Sequence, residues 1–139
     1  RVARWVAALS VILFCASTSA GQRMPGRHYL VGEHRLHLYC EGQGSPTILF
    51  ESGLGGIGVE WMNLLKMVAP RSRACVYDRA GYGWSDPGPL PRTAGRAADE
   101  LAALLEAADI DDQLVIVAHS YGGYVAQTYT RRHPGRVAG

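Results

Sequence analysis

The amino-acid sequence predicts an α/β domain with a largely parallel sheet opened by an antiparallel hairpin. Two observations carry this. An alternating apolar pattern over residues 29–40 marks the hairpin, and beyond it short, nearly continuous apolar runs alternate with stretches of helical periodicity. The composition is that of a globular chain: 47% of the 139 residues are hydrophobic and 19% charged, which excludes a disordered tail, a collagen-like repeat or a disulfide-dense miniprotein. The 14 basic and 12 acidic residues leave a formal charge of +2, and Arg1 and Arg4 account for it. From residue 21 onward the balance is neutral with no basic stripe, so no nucleic-acid partner is expected.

Arg1 and Arg4 flank the apolar run 5–14, and a small polar tract, 15–20, follows. This is the arrangement of a secretory signal peptide cut after Ala20, with Thr18 and Ala20 as the small residues before the cut. An uncleaved membrane anchor is the alternative, although the 16 residues from Trp5 to Ala20 fall short of the ~20 that span a bilayer. The protein is therefore expected to be exported (periplasmic or secreted), or anchored to a membrane through residues 1–20 alone.

Residues 21–34 hold a linker and the first strand. Residues 29–31, the turn Gly32-Glu33 and residues 35–40 read as a hairpin. In its second arm Leu36, Leu38 and Cys40 alternate with Arg35, His37 and Tyr39, so the latter three are expected to face solvent. After the turn cluster 42–46, Thr47-Ile48-Leu49-Phe50 reads as a strand covered on both faces. A glycine-rich loop, 53–58, leads to a helix over residues 61–69, ended by Pro70. Residues 74–77 are another buried strand, and 78–92 an irregular loop rich in Gly and Pro. Thr93 caps a helix reaching Ala108, with Ala97, Leu101, Leu104, Leu105 and Ala108 on one stripe. Residues 114–117 are the clearest strand, and a last helix runs from Tyr121 to His133, stopped by Pro134. Cys40 and Cys75 are expected as two buried, unpaired strand thiols, with a disulfide as the alternative in an exported protein.

Two glycine loops compete to define the function. Gly53-Leu54-Gly55-Gly56-Ile57-Gly58 satisfies G-x-G-x-x-G between a strand and a helix, and Asp78 lies 20 residues beyond Gly58, where a dinucleotide site places its ribose acid. The second loop follows strand 114–117 directly: Ala118-His119-Ser120-Tyr121-Gly122-Gly123, then a helix. This is small-x-Ser-x-Gly at a strand-to-helix turn, the nucleophile elbow. So sharp a turn strains the Ser backbone, demands small residues two before and two after it, and lifts the hydroxyl above the sheet edge beside the N–H of Tyr121. A Ser that merely caps a helix is the plainer alternative.

In these segments the sequence resembles the N-terminal half of the α/β-hydrolase family, over roughly residues 35–139. Four stretches carry the likeness in the family's order: Leu49-Phe50-Glu51-Ser52-Gly53-Leu54-Gly55-Gly56, Tyr77-Asp78-Arg79-Ala80-Gly81-Tyr82-Gly83-Trp84-Ser85, the elbow, and Arg132-His133-Pro134-Gly135-Arg136-Val137. The resemblance implies a three-layer fold in which residues 35–139 form the N-terminal part of the domain and strand 114–117 is central, with a sixth strand beside it. It implies that Ser120 is the nucleophile of a serine hydrolase acting on ester, amide or related acyl bonds. The backbone N–H groups of Leu54 and Tyr121 would form the oxyanion hole, and Asp78-Arg79 would be a structural turn holding the first glycine loop. Ser52-Gly53 stands where the family usually has His-Gly; the donor is main-chain, so the role survives the departure. A Ser at the elbow sets the chain apart from haloalkane dehalogenases and epoxide hydrolases, whose chemistry starts from a carboxylate. No cofactor and no metal is implied, and the expected partner is a small-molecule acyl substrate.

The base is missing. The family orders its triad Ser, acid, His, yet the 19 residues after Ser120 contain no acid, and His133 lies about 18–20 Å along its helix. His119 diverges from its neighbour Ser120, while His28, His34 and His37 belong to the hairpin and are expected to be exposed. The acid and His are thus expected outside these 139 residues, the chain alone is expected to be inactive, and the bare edge of strand 114–117 is expected to make it poorly soluble. Two other readings stay open: a non-catalytic α/β module with a vestigial elbow, and a dinucleotide-binding oxidoreductase using Gly53, Gly55 and Gly58.

Overall fold

Gly32, with φ at 62°, and Glu33 turn the chain tightly enough for β1 (Arg27–Val31) and β2 (His34–Glu41) to pair antiparallel, Val31 opposite His34. This computed structural model describes residues 24–139, so the expected signal peptide or anchor lies outside the described residues. The short apolar runs form β3 (Thr47–Glu51), β4 (Ala74–Tyr77) and β5 (Leu114–Ala118). They complete one five-stranded sheet in the order β1-β2-β4-β3-β5, in which β2 runs antiparallel to β4 while β4, β3 and β5 are mutually parallel.

Helices cover both faces, as expected of three layers. A 3₁₀ turn (Gly58–Trp61) and α1 (Met62–Val68) pack Trp61, Met62 and Leu65 against Phe50 and Val76. On the other face lie α2 (Ala94–Ala107) and α3 (Tyr121–Arg132), whose Leu101, Leu104, Leu105, Val125 and Tyr129 join the main core with Leu49 and Leu114. Thr93 caps α2 as its sequence promised, its Oγ1 accepting the Arg96 N–H at 3.1 Å. No helix among the described residues is long and apolar enough to cross a membrane.

Three expectations are corrected here. Cys40 and Cys75 are not separate thiols but a disulfide, because β2 and β4 are neighbours and their register sets the two residues opposite one another. Leu36, His37 and Leu38 are all buried, so the alternation fails at His37. The loop after β4 closes over that face: the His37 N–H donates to Ser85 Oγ at 2.8 Å, and the Trp84 ring lies 5.7 Å from the imidazole. His34 is half-buried beside Glu100. Finally, among the described residues β5 has one full strand neighbour, β3, but its outer edge is not bare. The Ala138 N–H donates to the Leu114 carbonyl at 2.8 Å and the Ile116 N–H to the Gly139 carbonyl at 3.0 Å, with Val137 bridged parallel to Leu114.

Candidate active site

The turn from β5 into α3 holds Ser120 at φ 51° and ψ −120°. Among the described residues, Asp109 is the one other non-glycine with positive φ, and it sits just past the end of α2, where left-handed residues commonly close a helix. Ser120 closes no helix; it opens one. Such a conformation costs about 1–3 kcal/mol and persists only where the surroundings impose it. Here the His119 N–H donates to the Glu51 carbonyl at 3.1 Å, and the Gly122 and Gly123 N–H groups donate to the carbonyls of His119 and Ser120, both at 2.9 Å. Gly122 is required by contact: a Cβ there would lie 2.5 Å from the Glu51 carbonyl oxygen and 2.7 Å from that of Ser52. Ala118 is exposed and Gly123 faces open space, so the demand for a small residue falls on Gly122.

Ser120 is exposed. β3 and β5 are parallel neighbours with Glu51 opposite Ala118, so the loops that follow them leave the same edge of the sheet side by side. Leu54 is in the first loop, and Tyr121 is the first residue of α3, where a helix has no acceptor for its own N–H. Among the described residues neither N–H donates to a protein group.

Behind this edge lies a buried polar layer that sequence reading captured in part. Both oxygens of the Asp78 carboxylate are occupied: Oδ1 accepts the Gly58 N–H at 2.7 Å, and Oδ2 accepts the Trp84 N–H at 3.0 Å with His37 Nδ1 3.3 Å away. Burial pushes the carboxyl up, but the His37 ring and these two N–H donors hold it below the usual aspartate value. Asp78 thus fastens the glycine loop to the loop after β4. The dinucleotide reading fails on this point, since the Asp78 carboxylate is buried among these partners and presents no surface to a ribose. Arg79, buried, donates to the side chain of Glu51 and to the carbonyls of Ser52 and Gly53. Glu51 also accepts from the Tyr77 hydroxyl. Burial pushes the Glu51 carboxyl up to about 7 against the pull of Arg79 and Tyr77, and burial beside Glu51 raises Tyr77. Neither Glu51 nor Tyr77 was singled out from the sequence. The available signal was an acid ending an apolar strand, with an Arg at the matching end of the next.

The five histidines are accounted for, and the structure brings none to Ser120 as a base. His28 Nε2 lies 2.7 Å from the Trp84 carbonyl oxygen, His34 lies beside Glu100, and His37 is buried against Asp78. His133 ends α3, its ring 4.8 Å from that of Tyr129. His119 precedes Ser120 in the chain, with its ring turned towards Gly53.

The sequence pattern of the alpha/beta hydrolase fold matches residues 46–139, which takes in the elbow, both candidate oxyanion donors and the Glu51–Arg79 pair. The chain belongs to the alpha/beta hydrolase fold family. A probable transporter, efuK, of Hormonema carpetanum is 38% identical over 109 residues, covering 74% of this chain and 16% of that protein. A haloalkane dehalogenase of Sphingobium indicum is 37% identical over 109 residues, covering 76% of this chain and 36% of the enzyme. A solved thermophilic esterase from Thermogutta terrifontis matches this chain with a TM-score of 0.73 at 25% identity, over 83% of this chain and 43% of that one. The chain spans less than half the length of each of these proteins.

Proposed function

We propose that this chain carries the nucleophile and the oxyanion hole of a serine hydrolase acting on ester, amide or related acyl bonds. The observation that carries the reading is the backbone of Ser120, held at positive φ at an exposed strand-to-helix turn, with the Tyr121 N–H next in the chain and the loop bearing Leu54 leaving the same edge of the sheet. In the reaction the Ser120 oxygen bonds to the acyl carbon while its proton passes to a base. The carbonyl π electrons move onto oxygen, where the Leu54 and Tyr121 N–H groups stabilise them. When they return, the bond to the leaving group breaks, and the leaving group takes the proton from the base. Water then repeats the sequence and frees the acid.

The nucleophile's chemistry favours acyl substrates over alkyl halides and epoxides. A carboxylate that displaces a halide forms an ester, which water can cleave; a serine would form an ether, which water leaves intact. In this reading the base and its orienting acid come from outside these 139 residues, since among the described residues no histidine is hydrogen-bonded to Ser120, and the chain alone is expected to turn over no ester. That missing base favours one second reading, a non-catalytic module with a vestigial elbow. Residues 1–20 would direct export or anchoring, a reading supported by the Cys40–Cys75 disulfide, because such bonds persist in oxidising compartments.

Ser120→Ala in the full-length protein separates the two readings. The expected result is loss of p-nitrophenyl ester hydrolysis by about 10³-fold or more, with the melting temperature not lowered. Turnover no faster than the uncatalysed reaction in wild type and variant alike would leave the vestigial module standing, and turnover above it that survives the substitution would overturn Ser120 as the nucleophile.

A further inference from the structure

The Arg79 guanidinium bonds the peptide of one candidate oxyanion donor, Leu54, and lies beside the ring of the residue that carries the other, Tyr121. Its Nη2 donates to the Gly53 carbonyl, which also accepts the Gly56 N–H at 3.1 Å, and its Nη1 donates to the Ser52 carbonyl and to Glu51. The Gly53 carbonyl and the Leu54 N–H are the two ends of one planar peptide group, so a donor that fixes the carbonyl fixes the direction of the N–H. The rings of Tyr82 and Tyr121 flank the same cation, 5.3 and 5.5 Å from its central carbon, and Tyr121 carries the other oxyanion donor. Arg79 is itself held rigidly: it is 5% exposed, and its partner Glu51 is fully buried and bonded to Tyr77. The main chain of Glu51 in turn accepts the His119 N–H and so ties the elbow to the same anchor.

We propose that Arg79 is a positioning residue for the oxyanion hole, its guanidinium setting the separation and direction of the Leu54 and Tyr121 N–H groups and with them the rate of acyl transfer. This rests on the serine-hydrolase reading above. A structural turn needs only the contacts of Asp78; the clamp on two successive carbonyls serves the peptide that would meet the oxyanion. A cation bonded to the Gly53 carbonyl also draws electron density through the peptide and makes the Leu54 N–H a stronger donor. That gain is realised when the substrate oxygen becomes negative, so it acts on the transition state more than on the bound ester. The planar fork is what the task requires, since an ammonium cannot hold two carbonyls and a carboxylate in one plane.

The test uses the full-length protein, p-nitrophenyl acetate as substrate and phenylboronate as a probe of the tetrahedral adduct. Arg79→Lys is expected to lower kcat by about 10-fold or more with KM within about twofold, because small displacements of aligned groups cost rate rather than binding. Boronate affinity should fall in step with kcat while the thermal transition stays cooperative. A folded Arg79→Lys protein with wild-type kcat, or with its loss confined to KM, overturns the proposal. Should that variant not fold, Tyr82→Leu removes one flanking ring and should lower kcat and boronate affinity together; unchanged boronate affinity overturns the proposal equally. Absence of Ser120-dependent turnover in the wild type overturns the serine-hydrolase reading and this proposal with it, whereas a normal wild type with an unaffected Arg79→Lys overturns this proposal alone.

Discussion

Ser120 and Glu51 are each held in a state that the free residue disfavours, and each makes a prediction of its own. At φ 51° and ψ −120° the Ser120 backbone is strained in a way that glycine would not be. Ser120→Gly is therefore expected to raise unfolding stability by about 1 kcal/mol in chemical denaturation while removing the nucleophile. A destabilised Ser120→Gly protein would mean that the turn is not under strain. Glu51 makes the second prediction. Its carboxyl sits at about 7 in the folded chain against 4.5 for the free side chain, because burial penalises the charged form. The folded state thus binds the proton more tightly, and folding takes up protons between those two values. This group's contribution is fully present below about 4.5 and is lost as the pH rises through about 7. A melting-temperature profile should fall over that window, and Glu51→Gln should flatten the slope. An unaltered slope in the variant would assign the pH dependence to other groups.

Among the elements, β2 and β4 are joined by the Cys40–Cys75 disulfide, and the stretch enclosed between the two cysteines contains β3, the loop with Leu54, and α1. Closing a loop with a sequence separation of 35 removes unfolded-state entropy worth roughly 4 kcal/mol. Replacing both cysteines by Ala is expected to lower stability by about that amount, and a reductant should lower the melting temperature of the wild type alone. A wild type indifferent to reductant would contradict the bond's contribution. The hairpin, α2 with its Thr93 cap and the strand-to-helix turn at Ser120 were legible because each is encoded locally, in a two-residue turn, a capping residue or one short motif. The disulfide was not, since it depends on β2 lying beside β4, a long-range pairing that local alternation does not encode. His37 was misjudged for a related reason: alternation presumes one covered face, and the loop bearing Trp84 and Ser85 covers the other.

For the whole molecule, the sheet order brings the ends of β3, β4 and β5 to one edge, where each contributes a different part of the candidate site. β5 delivers Ser120, the loop after β3 delivers Leu54, and the residues after β4 deliver Asp78 and Arg79, which hold that loop in place. The motifs around these residues were readable one by one. Their coupling through a buried cation was not, because it requires knowing which strand ends are neighbours. If this edge activates Ser120 for attack on an acyl centre, a fluorophosphonate will find it. Treatment of the full-length protein with such a reagent, followed by mass spectrometry of its peptides, should give one stoichiometric adduct, on Ser120, lost in Ser120→Ala. An unlabelled Ser120, or labelling that survives the substitution, would rule out an activated serine at this edge.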